Sequence, residues 1–322
     1  MTDAPKLDPQ ARDLLDRVAA ANAPQLHSLS AAEARRAYRE SRAALAPPPL
    51  AVEEVRELSV PGPAGALRAR LYRSGAKGES IPGVVYFHGG GFIYGDIDNH
   101  DPVCRGIAVH GACAVVSVDY RLAPEHRFPA AVEDSIAAVA WVAANGSTLG
   151  IDPQQLVVAG DSAGGNLAAV VALAARERAS PRIAMQVLVY PTTDLLAESE
   201  SVSRFGEGYL LTRESMRWVK RTYLRDERDA ADWRASPLRA ADVSRLPPAY
   251  VITAGFDPLR DEGEAYAGRL AQAGVPVTTE CFEGQVHGFL VMGGAMAAAG
   301  HAMQRIGQML RMRFGTLPIA RP

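Results

Sequence analysis

The most regular feature of the chain is an alternation of short apolar runs with longer amphipathic stretches, which begins after residue 50. Short runs rich in valine and isoleucine predict strands, and longer stretches with apolar positions three or four residues apart predict helices. The predicted strands are 54–60, 67–72, 84–87, 112–118, 156–159, 185–190, 250–254 and 277–282. This alternation indicates an α/β fold in which a mainly parallel sheet is covered by helices on both faces.

The predicted helices fill most intervals between these strands and continue past the last one. They are 101–110, 130–144, a helix that starts after Ser162, 212–224, 259–273 and 296–312. The first two strands are joined differently, through a short Gly- and Pro-rich connection at 61–65. That connection predicts an antiparallel hairpin at one edge of the sheet.

Two parts of the chain lie outside this alternation. Residues 8–21 predict a helix, and Ser30 with Glu33 forms a capping-box pattern that starts a second helix, which the prolines at 47–49 end. We interpret 1–46 as an N-terminal helical cap segment and 47–322 as the main domain. The interval 191–248 is too long for a plain connection and predicts a cap insertion at the carboxyl ends of the strands.

The composition argues against several classes of partner without identifying the function. The 322 residues are 48% hydrophobic and 22% charged, with a net charge of −2, so the chain lacks the basic field that attracts nucleic acid. We expect no nucleic-acid partner and no stable membrane association, since no apolar stretch is long enough to span a bilayer. Three scattered cysteines and a start without an apolar leader predict no disulfide framework and favour a cytoplasmic location.

The motif that says most about the chemistry is Gly160-Asp161-Ser162-Ala163-Gly164. It stands between an apolar run and an Ala-rich stretch, so the chain is predicted to turn there from a strand into a helix. A G-x-S-x-G at such a turn is a nucleophile elbow, in which small neighbours let the serine hydroxyl point out of the sheet. The setting favours Ser162 as a nucleophile over an ordinary turn serine.

A serine nucleophile needs a base beside it. In hydrolases built on this elbow the order along the chain is serine, acid, histidine, which leaves His287 and His301 as candidates. His287 follows the last predicted strand, whereas His301 lies in the last predicted helix. His287 is therefore the predicted base.

The base needs an acid that holds its tautomer. Asp257 directly follows the predicted strand 250–254 and is the predicted acid, although it could instead cap the helix that Pro258 would open. Asp261 and Glu262 are close rivals on the predicted helix, and Asp194 is a further alternative.

A glycine run supplies candidate donors for an oxyanion. His88-Gly89-Gly90-Gly91 directly follows a predicted strand, and glycines let backbone N–H groups approach a ligand without a side chain in the way. His88 precedes the serine, so we interpret it as a residue that holds this loop by hydrogen bonds.

Taken together, these motifs resemble the hormone-sensitive-lipase-like carboxylesterases, bacterial family IV of the α/β-hydrolase superfamily. The matching stretches occur in family order from about residue 50 to the end, and they are HGGGF at 88–92, DYRLAPE at 119–125, GDSAGGNLA at 160–168, YP at 190–191, GYLLT at 208–212, DPL at 257–259 and HGF at 287–289. The resemblance implies an α/β-hydrolase fold with a helical cap and no metal or other cofactor.

The same resemblance assigns roles to individual residues. Ser162, Asp257 and His287 correspond to the catalytic triad, and the backbone N–H groups of Gly90, Gly91 and Ala163 correspond to the oxyanion hole. It implies hydrolysis of small-molecule esters with short to medium acyl chains, and a homodimer paired through the last strand.

Substrate range and chemistry stay open at this point. Phe92, Tyr94, Tyr209 and Leu210 are candidates to line the substrate pocket, although such side chains are more often plain core. The same triad would serve an amide, a lactone or a carbamate. A ligand-binding protein on a hydrolase scaffold is a further alternative, because fold alone does not determine function.

Overall fold

The computed structural model describes residues 6–75 and 78–315. Within them lies an eight-stranded sheet with the strand order β1-β2-β4-β3-β5-β6-β7-β8. The strands are β1 Glu54–Gly62, β2 Gly65–Arg73, β3 Ile81–Phe87, β4 Ala114–Val118, β5 Ile151–Asp161, β6 Met185–Val189, β7 Ala249–Phe256 and β8 Val277–Val286. Residues 1–5 of the expected cap segment, and 76–77 and 316–322 of the expected main domain, lie outside the described residues.

Pairing in the sheet is parallel except at one edge. β1 pairs antiparallel with β2, and β2 pairs antiparallel with β4. The remaining neighbours, from β4 through β3 to β8, all run parallel. The predicted α/β fold, with a mainly parallel sheet and a hairpin at its edge, is confirmed.

Helices cover both faces of the sheet. They are α1 Pro9–Ala21, α2 Ala31–Leu45, α3 Asp101–Gly111, α4 Ala130–Leu149, α5 Ala163–Arg178, α6 Glu200–Phe205, α7 Arg213–Tyr223, α8 Arg260–Gln272 and α9 Ala297–Arg313. Successive strand residues point to opposite faces. Thus Val85 belongs to the core beneath α4 and α5, whereas Val84 belongs to the core beneath α3 and α9.

Several boundaries differ from the sequence prediction in ways that matter for the site. β5 runs from Ile151, several residues before the predicted start at 156, and α4 ends at Leu149 and is capped by Gly150, whose left-handed φ of 66° suits glycine. β8 continues to Val286, so His287 directly follows it. The sequence did not predict α6.

The helix starts follow their local capping chemistry. Ser30 accepts a hydrogen bond from the backbone of Glu33, and the Glu33 side chain accepts one from the backbone of Ser30, which is the predicted capping box. Thr212 caps α7 in a similar way, accepting from the backbone N–H of Ser215. Among the described residues, no helix combines the length and the apolar character that crossing a bilayer would require.

Candidate active site

Ser162 occupies a sharp turn between β5 and α5. Its backbone has φ 56° and ψ −116°, a combination that a non-glycine residue adopts only under strain. The turn is held from both sides, because the Ser162 N–H donates to the Val189 carbonyl at 2.9 Å and the Ser162 carbonyl accepts from Asn166 at 3.0 Å. The serine hydroxyl is therefore fixed at the carboxyl end of the sheet.

Two glycines make this turn possible. A Cβ on Gly164 would overlap the Phe87 carbonyl at the end of the neighbouring strand, and a Cβ on Gly160 would overlap Gly164 itself. Glycine is needed at both positions because the backbones approach within van der Waals distance. The spacing of the G-x-S-x-G motif thus follows from close packing of β3, β5 and α5.

His287 lies beside the serine hydroxyl. Its Nε2 is 2.9 Å from the Ser162 Oγ, and its Nδ1 is 2.7 Å from the Asp257 Oδ2. A carboxylate can only accept, so Nδ1 carries the proton toward Asp257 and Nε2 is left to accept from the serine. The Tyr190 ring packs against the imidazole with centroids 4.8 Å apart, which restricts its rotation.

Asp257 is completely buried at the end of β7. While Oδ2 faces His287, Oδ1 accepts the backbone N–H of Leu259 at 2.8 Å. The sequence left two roles open for this residue, a helix cap and an orienting acid. The two carboxylate oxygens serve these two purposes separately.

The other candidates for the orienting acid and for the base lie away from Ser162 or have other partners. Asp194 forms an ion pair with Arg239 at 2.7 Å, and Asp261 accepts the backbone N–H of Ser201 at 2.7 Å. Glu262 turns toward the loop after β6, where it accepts the backbone N–H of Thr193 at 2.6 Å. The rival base His301 is exposed on α9.

The glycine loop after β3 carries backbone N–H donors that have no hydrogen-bond partner among the described residues. Gly90 and Gly91 have φ values of 121° and 59°, which glycine adopts without strain. Across the described residues, the N–H groups of Gly90, Gly91 and Ala163 donate to no other group of the chain. Ala163 follows Ser162 at the first turn of α5, where helical N–H groups are unpaired and favour negative charge.

His88 supports this loop without acting as a base. It is completely buried, and desolvation lowers the pKa of its imidazole to about 4, so the ring is neutral. Its Nδ1 is 2.8 Å from the Gly89 carbonyl, and its ring stacks on Tyr120 at 4.3 Å.

Asp161 joins the oxyanion loop to the elbow. Its buried carboxylate accepts the backbone N–H of Gly89 at 2.9 Å and the Tyr86 hydroxyl at 2.7 Å, and it faces His100 at 3.2 Å. Burial alone would raise the pKa of Asp161, but the charge and hydrogen bonds of His100, with the Tyr86 hydrogen bond, hold it below its ordinary value. The Asp161 carboxylate thus links the elbow, where Asp161 precedes Ser162, to the oxyanion loop, where Gly89 precedes Gly90.

A substitution in the glycine loop tests its part in the chemistry. In Gly90→Ala, the new Cβ would overlap the Tyr94 carbonyl and the φ of 121° would become strained, so the loop must move. We expect kcat for p-nitrophenyl butyrate to fall on the order of 10²-fold or more, as for loss of one oxyanion donor. Gly268→Ala in α8, where a Cβ meets open space, is the control. An unchanged kcat in the Gly90 variant would contradict the assigned role.

The serine opens into a cavity of about 190 Å³ between the carboxyl end of the sheet, α2 and α7. Of the four pocket candidates from the sequence, Tyr94 and Leu210 line this cavity. Phe92 is instead buried and stacks on Tyr223 at 3.8 Å. Tyr209 packs on Phe205 and Phe256 rather than on the cavity.

Most of the cavity wall comes from residues that the sequence did not identify as pocket residues. They include Leu26, Tyr38, Arg42, Trp218, Val219 and Glu262, the last of which the sequence offered only as a rival acid. Burial raises the pKa of the Glu262 carboxyl to about 8, which keeps it largely protonated at neutral pH. The helical periodicity of α2 and α7 predicts which faces are apolar, but it does not say that these faces meet across the serine.

Comparisons with known proteins agree with this geometry. A family model described as alpha/beta hydrolase fold matches residues 84–291. The carboxylic ester hydrolase LipN of Mycobacterium tuberculosis is 46% identical over 82% of this chain and 73% of its own length. The ethyl acetate hydrolase of Pseudomonas putida is 38% identical over 90% of this chain and 92% of its own.

Solved structures give the same result. An ester hydrolase, EH1AB1, from the metagenome of Lake Arreo superimposes with a TM-score of 0.93 at 42% identity, covering 96% of this chain and 99% of that one. A hyperthermophilic esterase from Pyrobaculum calidifontis superimposes with a TM-score of 0.91 at 41% identity, covering 95% and 98%.

Proposed function

Because this chain belongs to the hormone-sensitive-lipase-like esterases of the α/β-hydrolase fold, we propose that it cleaves small carboxylic esters through an acyl-enzyme on Ser162. The observation that carries the proposal is the continuous hydrogen-bonded series from Ser162 through His287 to Asp257, which opens into a cavity beside unpaired backbone N–H groups. This is the arrangement that acyl transfer needs: a nucleophile, a base, an orienting acid and oxyanion donors.

Acylation starts at the serine. As Ser162 Oγ attacks the ester carbonyl carbon, His287 Nε2 accepts the hydroxyl proton, and buried Asp257 stabilises the imidazolium that forms. The N–H groups of Gly90, Gly91 and Ala163 bind the oxyanion. When the tetrahedral intermediate collapses, the C–O bond to the alcohol breaks and the alcohol leaves with the proton from His287.

Deacylation repeats these steps with water. His287 removes a proton from a water molecule that attacks the acyl carbon, the same N–H groups bind the second oxyanion, and the Ser162–acyl bond breaks. The carboxylic acid leaves and Ser162 regains its proton from His287. The overall reaction converts one ester and one water molecule into one carboxylic acid and one alcohol.

We further propose that residues 1–46 and the insertion at 191–248 form the cap that selects substrates. Both parts contribute to the cavity wall, through Tyr38 of α2 and Trp218 of α7 among others. We also propose a cytoplasmic enzyme that forms a homodimer through β8, because β8 is the edge strand of the sheet.

A chain-length series tests the proposal and its chemical alternatives. We expect p-nitrophenyl esters from acetate to hexanoate to be the best substrates, with kcat/KM lower by roughly tenfold or more at decanoate, because the cavity is small. Assays with p-nitrobutyranilide, γ-butyrolactone and a p-nitrophenyl carbamate run alongside. Faster turnover of any of these than of the butyrate ester would contradict the assignment as a carboxylesterase.

A further inference from the structure

Two cationic side chains from the cap line the catalytic cavity. Arg42 lies near the end of α2, and Lys220 lies on α7, and both contribute to the wall of the cavity that contains Ser162. The mechanism proposed above uses neither of them. Their positions and their lack of acidic partners indicate a further role.

Arg42 is connected to the oxyanion loop through two tyrosine rings that pack against each other. Its guanidinium lies 5.0 Å from the centroid of the Tyr38 ring, and the Tyr38 ring lies 4.6 Å from that of Tyr94. Tyr94 in turn donates its backbone N–H to the Gly90 carbonyl at 3.0 Å. The cation–π contact fixes Arg42 over the cavity without neutralising its charge.

The position of Lys220 follows from the packing of Val219, the residue before it on α7. A Cβ on Gly91 would lie 2.7 Å from a methyl group of Val219, so this part of α7 packs directly over the oxyanion loop. The next residue, Lys220, therefore projects from the helix turn that covers the reaction centre.

Among the described residues, neither cation is paired with a carboxylate. Apart from its cation–π contact with Tyr38, the Arg42 guanidinium has a 3.4 Å contact to the Ser41 hydroxyl and a buried Nε without a hydrogen-bond partner, and the Lys220 ammonium makes no hydrogen bond or ion pair. Two other arginines of α2 behave differently, since Arg35 pairs with Glu125 at 2.6 Å and Arg39 with Asp96 at 2.9 Å.

Among the described residues, no acidic group of the cavity forms an ion pair with either cation. Asp194 is already paired with Arg239 at 2.7 Å, and the Asp161 carboxylate keeps its charge but is held by the Tyr86 hydroxyl, the Gly89 N–H and His100. Burial raises the pKa of Glu262 to about 8, so at pH 7 this carboxyl is mostly neutral.

The positive charge extends outward from Lys220. This residue also lines a neighbouring surface hollow of about 310 Å³, whose other charged residues are Arg127, Arg217, Arg221, Arg225, Asp226 and Glu227. Arg217 and Arg221 are both paired with Glu214, at 3.8 Å and 2.9 Å, and Arg225 is paired with Asp229 at 3.2 Å. Asp226 is paired with Arg228 at 3.1 Å, outside the hollow. Among the described residues, Arg127 and Lys220 form no ion pair, so the approach to the catalytic cavity retains positive charge that favours anions.

We propose that Arg42 and Lys220 bind a free carboxylate on the substrate, so that the preferred esters carry a second, ionised carboxyl group away from the scissile bond. A guanidinium matches a carboxylate through two parallel hydrogen bonds, and an ammonium adds a mobile point charge. This inference rests on the proposed ester hydrolysis and specifies its substrate class. The two cations act in binding and take no part in proton transfer.

Matched substrate pairs test the inference. Monoethyl adipate is compared with its monoamide, ethyl 5-carbamoylpentanoate, which has the same shape without the charge. A second pair, 6-acetoxyhexanoate and its amide, places the charge on the alcohol side. The quantity measured is the ratio of kcat/KM for the carboxylate to kcat/KM for the amide, at low and high NaCl.

We expect a ratio of about 10 or more in at least one pair at low salt, mainly because the carboxylate substrate has the lower KM. In 0.5 M NaCl the ratio should be lower, because salt screens the attraction between the substrate carboxylate and the two cations. Arg42→Gln and Lys220→Gln should each lower that ratio roughly threefold, and the double variant should bring it close to one. Arg178→Gln, on an exposed arginine at the far end of α5, is the control and should leave it unchanged.

The outcomes separate this inference from the proposed function. A wild-type ratio near one in both pairs, or a ratio that the double variant retains, would overturn the carboxylate site. If the cations merely hold the cap together, both members of each pair lose activity equally and the ratio stays constant, which also overturns it. Absence of turnover with the neutral amide esters would instead count against ester hydrolysis itself.

Discussion

Replacing Ser162 with alanine is expected to lower kcat for p-nitrophenyl butyrate by about 10⁴-fold or more. The variant has no nucleophile within reach of His287, since the 2.9 Å contact to Nε2 is made by the missing hydroxyl. Alanine adopts the strained elbow no less readily than serine, so the melting temperature should stay close to that of the wild type. Steady-state kinetics and thermal melts on the same preparations provide the measurement.

The control for this variant is Ser203→Ala, which removes an exposed hydroxyl on α6 and should leave kcat unchanged. Labelling with a fluorophosphonate probe adds an independent readout, because the probe bonds to an activated serine. Wild type and Ser203→Ala should be labelled and Ser162→Ala should not. Ordinary turnover or labelling of Ser162→Ala would rule out this serine as the nucleophile.

Asp257→Asn is expected to lower kcat by about 10⁴-fold while the fold stays intact. The asparagine can still accept the Leu259 N–H through its carbonyl oxygen, but its amide would then face His287 Nδ1 with donor hydrogens. The imidazole would then place its proton on Nε2, toward Ser162, and could no longer accept the serine proton. Kinetics with p-nitrophenyl butyrate should therefore show a loss in kcat with little change in KM.

Asp261→Asn is the matched control, because Asp261 is the nearby acid that the sequence could not exclude. It contacts Ser201 and Arg260 rather than His287, so kcat should change by less than about threefold, the range expected for a partly exposed polar contact. If Asp261→Asn lost more activity than Asp257→Asn, the orienting acid would have been assigned to the wrong residue.

The catalytic groups could be proposed from the sequence because each stands beside a strand end. Ser162, Asp257 and His287 directly follow β5, β7 and β8, and in a parallel sheet the carboxyl ends of all strands meet at one edge. An apolar run followed by a polar or glycine-rich turn is a local pattern, visible without knowledge of the fold. The interpretation of His88 as a loop residue rested on chain order in the same way.

The substrate pocket could not be proposed in that way. Phe92 and Tyr209 resemble pocket residues in the sequence because they adjoin the motifs, yet their rings pack on Tyr223 and on Phe205 with Phe256. Conversely, Tyr38 and Trp218 come from helices with ordinary amphipathic patterns. Burial in the core and exposure to a cavity give an aromatic residue the same sequence signature, since both require an apolar environment.

The sequence by itself determined the α/β class, the edge hairpin and a chemistry of acyl transfer, because strand periodicity, turn glycines and motif order are local properties of the chain. Only the tertiary structure decided which faces of α2 and α7 meet above Ser162 and which charges there have no ion-pair partner in the part of the chain that the structure describes. That Arg42 and Lys220 are unpaired within that part depends on residues distant in sequence, since ion pairs form through space. The elbow at Ser162 therefore identifies an acyl-transfer site from the sequence, whereas the cap that would select its substrate becomes visible only in the folded chain.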